Sequence, residues 1–245
     1  MFGVAARSLN MRWGAVIAIG ALACSSSAAP ATATTSCSPS AGVSGAPSSI
    51  ADAVVLANDL LARQPEGLTV PCFVESLDRP LGVQAVNSIF SVQPAVGPRS
   101  PRIFLFSGNL VMSVVPEGDT AHSIELAEYL SPTRSIKAEI GFPLQAPISS
   151  SAPFDRVRDG EGTWCRGCHR DETRADSVTI AEAFGSDVLR PAPADEVPLP
   201  YVANEASACD SSLEPGRCAM LDAVFGHGPV EPRAFSRDAR TINDY

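Results

Sequence analysis

Pro101-Arg102-Ile103-Phe104-Leu105-Phe106-Ser107-Gly108-Asn109-Leu110-Val111-Met112-Ser113-Val114-Val115 places two extended apolar runs around a short polar turn. β-Branched and aromatic residues suit a pleated, half-buried surface, and Gly108-Asn109 between such runs marks a hairpin. Pro116-Glu117-Gly118-Asp119 supplies the next turn, ahead of a further run over 123–130. Ile136, Ala138, Ile140 and Phe142 then alternate with Ser135, Lys137, Glu139 and Gly141. That period of two predicts a strand with one face buried and the other in water. The runs join as an antiparallel β meander, closed as a small sandwich or a partly open barrel.

Working upstream, Ser49 can cap a helix in which Ile50, Val54, Ala57 and Leu61 recur at helical spacing, with Asp52 in its first turn and Pro65 ending it. Residues 49–142 are therefore a β-rich domain with an N-terminal helix. Downstream, the Pro- and Ser-rich stretch 143–153 reads as a linker, and 191–200 is a second proline-rich crossing. Residues 154–245 then form a small helical, cysteine-containing region, with helices predicted over 201–209 and 217–225. Pro215 opens the second of these, and Gly226 and Gly228 end it. The fold class is α+β.

No catalytic motif stands in the β-rich domain: there is no G-x-S-x-G, no H-E-x-x-H and no phosphate-cradling glycine loop. His122 falls near a turn, and Glu125, Glu128 and Glu139 belong on solvated strand faces. The chain is not expected to be an enzyme. Its formal charge of −9, with no basic stripe, disfavours a phosphate backbone and so excludes nucleic acid as a partner. One lysine, Lys137, stands beside seventeen arginines, a ratio that reads as compositional bias.

The N-terminus predicts export. Arg7 and Arg12 precede an uncharged, mostly apolar run of eleven residues, 13–23. Spanning a bilayer takes ~20 residues, but this length suits the apolar core of a signal peptide. Ala21-Leu22-Ala23-Cys24 resembles the lipobox of bacterial lipoproteins, which implies a signal peptide over 1–23 and a lipid on Cys24. Such a lipid would tether the chain to a membrane, and Ser25 in place of aspartate implies, by resemblance to proteobacterial lipoproteins, the outer membrane. Residues 24–48, almost all Ser, Ala, Pro, Thr and Gly, cannot bury enough apolar area to offset their ordering entropy and read as a flexible tether. Without Arg7 and Arg12 the mature chain has 16 basic against 27 acidic residues, a charge of −11.

Outside the cytoplasm an odd number of cysteines needs an account. Of seven, six remain once Cys24 carries lipid. In one assignment Cys37 pairs with Cys72 and Cys209 with Cys218, leaving Cys165 and Cys168 for a covalent cofactor. In a second, all six form three disulfides. In a third, Cys165, Cys168, Cys209 and Cys218 bind a structural zinc.

Cys165-Arg166-Gly167-Cys168-His169 is a C-x-x-C-H motif. Two thiols at this spacing can add to the vinyl groups of a haem, with the imidazole beneath the iron. The motif resembles that of c-type cytochromes, which implies one haem c, thioethers at Cys165 and Cys168, His169 as proximal ligand and electron transfer to a redox partner protein. Met220 and His227 are the downstream candidates for the distal ligand. Arg170 and Asp171-Glu172 replace the glycine and proline spacing of class I cytochromes, so the resemblance is confined to the motif. The alternative is a non-redox envelope lipoprotein, with a binding or structural role, whose C-terminal cysteines form disulfides.

Overall fold

Ser49 begins the first helix as the spacing predicts: its side chain accepts a hydrogen bond from the Asp52 amide at 3.1 Å, satisfying an N–H that the first turn cannot. The computed structural model describes residues 36–244, and the signal peptide, Cys24 and the start of the tether lie outside them. In chain order the elements are α1 (Ile50–Leu61), α2 (Val70–Glu75), β1 (Leu81–Val86), β2 (Arg102–Ser107), β3 (Leu110–Val114), β4 (Ser123–Ser131) and β5 (Arg134–Gly141). There follow α3 (Ala152–Arg156), β6 (Arg158–Asp159), β7 (Gly162–Thr163), β8 (Thr173–Arg174), β9 (Phe184–Asp187), β10 (Glu196–Val197), α4 (Leu199–Ser207), α5 (Pro215–Phe225) and β11 (Val230–Pro232).

The meander from β1 to β5 is antiparallel throughout, and the 101–115 hairpin pairs Ile103 with Val114 and Ser107 with Leu110. One sheet of nine strands results, ordered β10-β1-β2-β3-β4-β5-β9-β8, with β11 lying parallel to β1. The fold is mixed α+β, dominated by this antiparallel sheet. Four of its strands come from beyond residue 154, so the C-terminal region adds strands to the sheet beside its helices α4 and α5. It supplies both edges of the sheet, through β8 and β9 on one side and β10 and β11 on the other.

One face of the sheet carries the core. Leu81, Val83, Ile103, Leu105, Met112, Leu126 and Ile136 pack with Leu56, Leu60, Phe73 and Leu221 from α1, α2 and α5. Burying a side chain of this size stabilises by roughly 1.5–3 kcal/mol. Arg79 fixes α5 to the N-terminal half by donating to the carbonyls of Ala223 and Val224 at 2.6 and 2.7 Å, which the helix end leaves without intrahelical donors.

Residues 36–48 differ from the flexible tether expected of them. Cys37 is bonded to Cys72 in α2, the Ser40 amide donates to Asp59 at 2.9 Å, and Gly45 and Pro47 are buried. Their poverty in apolar side chains is offset by a covalent link and by hydrogen bonds to α1, neither of which composition reveals.

Candidate functional site

The strand face opposite the core is expected from its polar alternation to lie in water, and it does not. Ser113 faces Phe104 on one side and Glu125 on the other, while Lys137 faces Ala127, which faces Val111. Ser135 is fully buried, and Ser113 and Lys137 are nearly so. The cover comes from the chain after α3, which extends the sheet through β9 and folds back over it. Arg102 ties this floor together, donating to Glu125, to Ser91 and at 2.9 Å to Ser113. Glu125 is thus part of a half-buried network, contrary to its expected place in solvent. Glu128 and Glu139 are engaged as well: Glu128 accepts the Ile50 amide at 2.8 Å at the start of α1, and Glu139 pairs with Arg156 at 2.6 Å. His122 is exposed.

Over the floor sits the C-x-x-C-H segment, one helical turn in which the amides of Cys168 and His169 both donate to the Cys165 carbonyl, at 3.1 and 2.9 Å. Glu172 reaches back to the Thr163 amide at 2.9 Å and to the Thr163 hydroxyl, closing the loop that carries the turn. Asp171 sits at φ 53°, a left-handed conformation that aspartate tolerates better than bulky residues. Arg134 clamps this loop to β9 by donating to the carbonyls of Asp171 and Gly185, each at 2.8 Å.

Floor and turn enclose a pocket of about 150 Å³. Cys165, Cys168, His169 and Lys137 line it together with Arg102, Ser113, Glu125 and Ser135. Its walls are apolar, formed by Val86, Phe104, Val111, Trp164, Leu189 and Phe235. Phe235 stands edge-on to Phe104 at 4.9 Å and to Phe106 at 5.3 Å, which brings the C-terminal chain across the floor. Phe90, largely exposed in the loop after β1, stands at the mouth. Of the aromatic walls, Phe104 and Trp164 come from before His169 and Phe235 from after it.

Burial shifts four ionisable groups of the pocket, Tyr129 among them, toward their neutral forms. It pushes the Cys165 thiol up to about 11. It lowers the Lys137 amine to about 8. Burial, reinforced by the Lys137 charge, lowers His169 to about 3, so its ring is neutral at pH 7. His169 Nδ1 lies 2.8 Å from the Asp187 carbonyl oxygen. A carbonyl only accepts, so the single ring proton is on Nδ1 and the Nε2 lone pair is available to a metal. A nucleophilic or redox-exchanging thiol needs a depressed pKa, and Cys165 has the opposite.

Cys165 and Cys168 are free, while Cys37–Cys72 and Cys209–Cys218 are disulfides. The three-disulfide pairing is not formed, and the Cys209–Cys218 bond removes two thiolates from the zinc site. Among the described residues no group of three or more His, Cys, Asp and Glu gathers to hold a metal ion. Neither distal-ligand candidate reaches the pocket. Met220 is buried in α5 among the core residues, and His227 lies beyond the end of α5 beside Glu75 at 3.6 Å and Asp222 at 3.3 Å. A methionine on the inner stripe of a helix serves packing, and a histidine after a helix end pairs with nearby carboxylates. Sequence reasoning missed Lys137, whose only signal was that it is the sole lysine.

No family model, no curated protein and no solved structure matches this chain.

Proposed function

We propose that this protein is an extracytoplasmic, lipid-anchored electron carrier with one haem c covalently attached in the pocket. The observation that carries the proposal is that Cys165 and Cys168, the two free thiols among the described residues, open with His169 onto a pocket with apolar walls. The residues fit the group. Two free thiols sit three apart on one helical turn, and the next residue is an imidazole whose proton is fixed on the far nitrogen by a backbone carbonyl.

Cys165 and Cys168 would hold the macrocycle through thioethers, each sulfur bonding one vinyl carbon while the thiol hydrogen goes to the other. His169 would supply the proximal nitrogen. A bound haem iron provides one-electron transfer at a potential set by its ligands and their surroundings. Phe104, Trp164, Leu189 and Phe235 would shield the inner part of the pocket from water. At about 150 Å³ the enclosed space is below the ~300 Å³ of ordinary ligand clefts, so part of the macrocycle would remain at the solvent-facing mouth, beside the exposed Cys168. That exposure suits transfer to a redox partner protein.

The test is an absorption spectrum of the chain matured in a host that attaches haem c. The proposal predicts a Soret band that remains with the polypeptide after acid denaturation. Its disappearance on denaturation, or its absence, overturns the haem assignment. Anchoring is tested separately by metabolic fatty-acid labelling of the wild type against Cys24→Ser, with label and membrane association expected only in the wild type.

A further inference from the structure

Lys137 is a buried amine with a single hydrogen bond. It is 7 % exposed, lines the pocket from the middle of β5, and donates at 2.7 Å to Ser135 Oγ. An ammonium carries three donors, and burying it without partners for the rest is unfavourable. A chain that otherwise uses arginine throughout places its only lysine here, on the floor beneath Cys165 and His169. Arginine would keep the charge, but its guanidinium does not give up a proton and cannot ligate a metal. An amine can. The neighbouring cation, Arg102, is already committed to Glu125, Ser91 and Ser113, so charge alone does not require a second one.

Resting on the haem reading above, we infer that Lys137 supplies the second protein ligand to the iron, in place of the methionine or histidine that c-type motifs lead one to expect. The pocket limits the choice: with Met220 in the core and His227 outside, the lining groups able to offer a lone pair to a metal are His169, Lys137, Tyr129, the two attachment cysteines and the carboxylates of Asp195 and of Glu125, the last of which is held by Arg102. Lys137 would release its hydrogen bond to Ser135, lose one proton to water at the mouth of the pocket and bind through the neutral amine.

The experiment uses the haem-loaded full-length chain, first shown by intact mass to carry one covalent haem. In the wild type, ferric electron paramagnetic resonance should report low-spin, six-coordinate iron. Lys137→Ala should lose that signal and turn high-spin, and added methylamine should restore it. Lys137→Arg keeps the cation and should be high-spin as well, which separates ligation from charge. Tyr129→Phe should leave the spectrum unchanged. Because the chain has one lysine, labelling an untagged protein with ¹⁵N-lysine should give one strongly ring-current-shifted side-chain resonance in the reduced state. A high-spin wild type, a Lys137→Ala variant that stays low-spin, or a Tyr129→Phe variant that alone turns high-spin overturns the assignment. A chain without covalent haem overturns the haem reading itself and this assignment with it, and the mass distinguishes that result from a loaded chain whose iron Lys137 does not bind.

Discussion

On one face of the central sheet, Ile103, Leu105, Met112, Leu126 and Ile136 meet α1, α2 and α5 in a core of aliphatic and aromatic side chains. On the other face of the same strands, Phe104 and Val111 share the floor of a pocket with Arg102, Ser113, Glu125, Ser135 and Lys137. Both faces are covered, but by different means. The first is closed by helices contributed from both ends of the chain, the second by a loop-rich segment held through hydrogen bonds such as those of Arg134 and Glu172. The apolar face makes the fold stable. The polar face buries an amine and half-buries an ion pair and a histidine at a cost in stability, the pattern expected where a site is kept for a ligand.

The sharpest way to break this contrast is to damage the faces separately. Leu105→Ala, on the helix-covered face, should cost about 4 kcal/mol in urea unfolding, as large-to-small changes in a packed core do. It should leave Cys165 and Cys168 able to react with a thiol reagent after the chain refolds. A cost below about 1 kcal/mol would mean that this face does not hold the fold.

Lys137→Met should act in the other direction. The folded amine has a pKa of about 8 against 10.5 when free. Between those values the unfolded chain binds more protons, so wild-type stability rises as pH rises from about 8 to about 10.5. Below pH 8 the buried charge costs the fold on the order of 3 kcal/mol. The haem-free Lys137→Met chain should therefore be more stable than the wild type at pH 7 by about that amount, with the gap closing toward pH 10.5. A destabilised variant at pH 7 would show that the lysine is structural.

Removing Cys209–Cys218 by paired substitution to serine should cost about 2–3 kcal/mol, the value for a closed loop of about ten residues. The motif cysteines should remain free. Disulfide exchange into Cys165 or Cys168 in that variant would place the two pairs within mutual reach and weaken the division of cysteines. Ser49→Ala, which removes one cap on the core side, should cost about 1 kcal/mol in thermal unfolding and nothing in the pocket.

The core face is legible in the sequence because its periodicity is local. The 101–115 hairpin and the alternation from Ser135 to Gly141 each contain the pattern and its turn within a few residues. The polar face misleads for the same reason: Ser135, Lys137 and Glu139 alternate as a solvated face would, and nothing local reveals that the chain returns fifty residues later. Phe184-Gly185-Ser186-Asp187 forms the returning strand with no apolar period of its own. The strands β8, β10 and β11 have two or three residues each, too few to show a pattern. At the site, the three motif residues announce themselves by spacing, whereas cysteine arithmetic leaves the two disulfides as one of three assignments. The proposed distal partner does not announce itself, because it comes from a strand that precedes the motif by almost thirty residues, whereas the resemblance directs attention downstream to Met220 and His227.

The measurement that bears most directly on the account is the intact mass of the chain isolated from an oxidising compartment with haem-attachment machinery, followed by peptide mapping. The account predicts the mass of one haem added to the chain and located on the peptide containing Cys165 and Cys168, with Cys37–Cys72 and Cys209–Cys218 as disulfides. A chain without that mass, in which Cys165 and Cys168 are joined in a third disulfide, would contradict it.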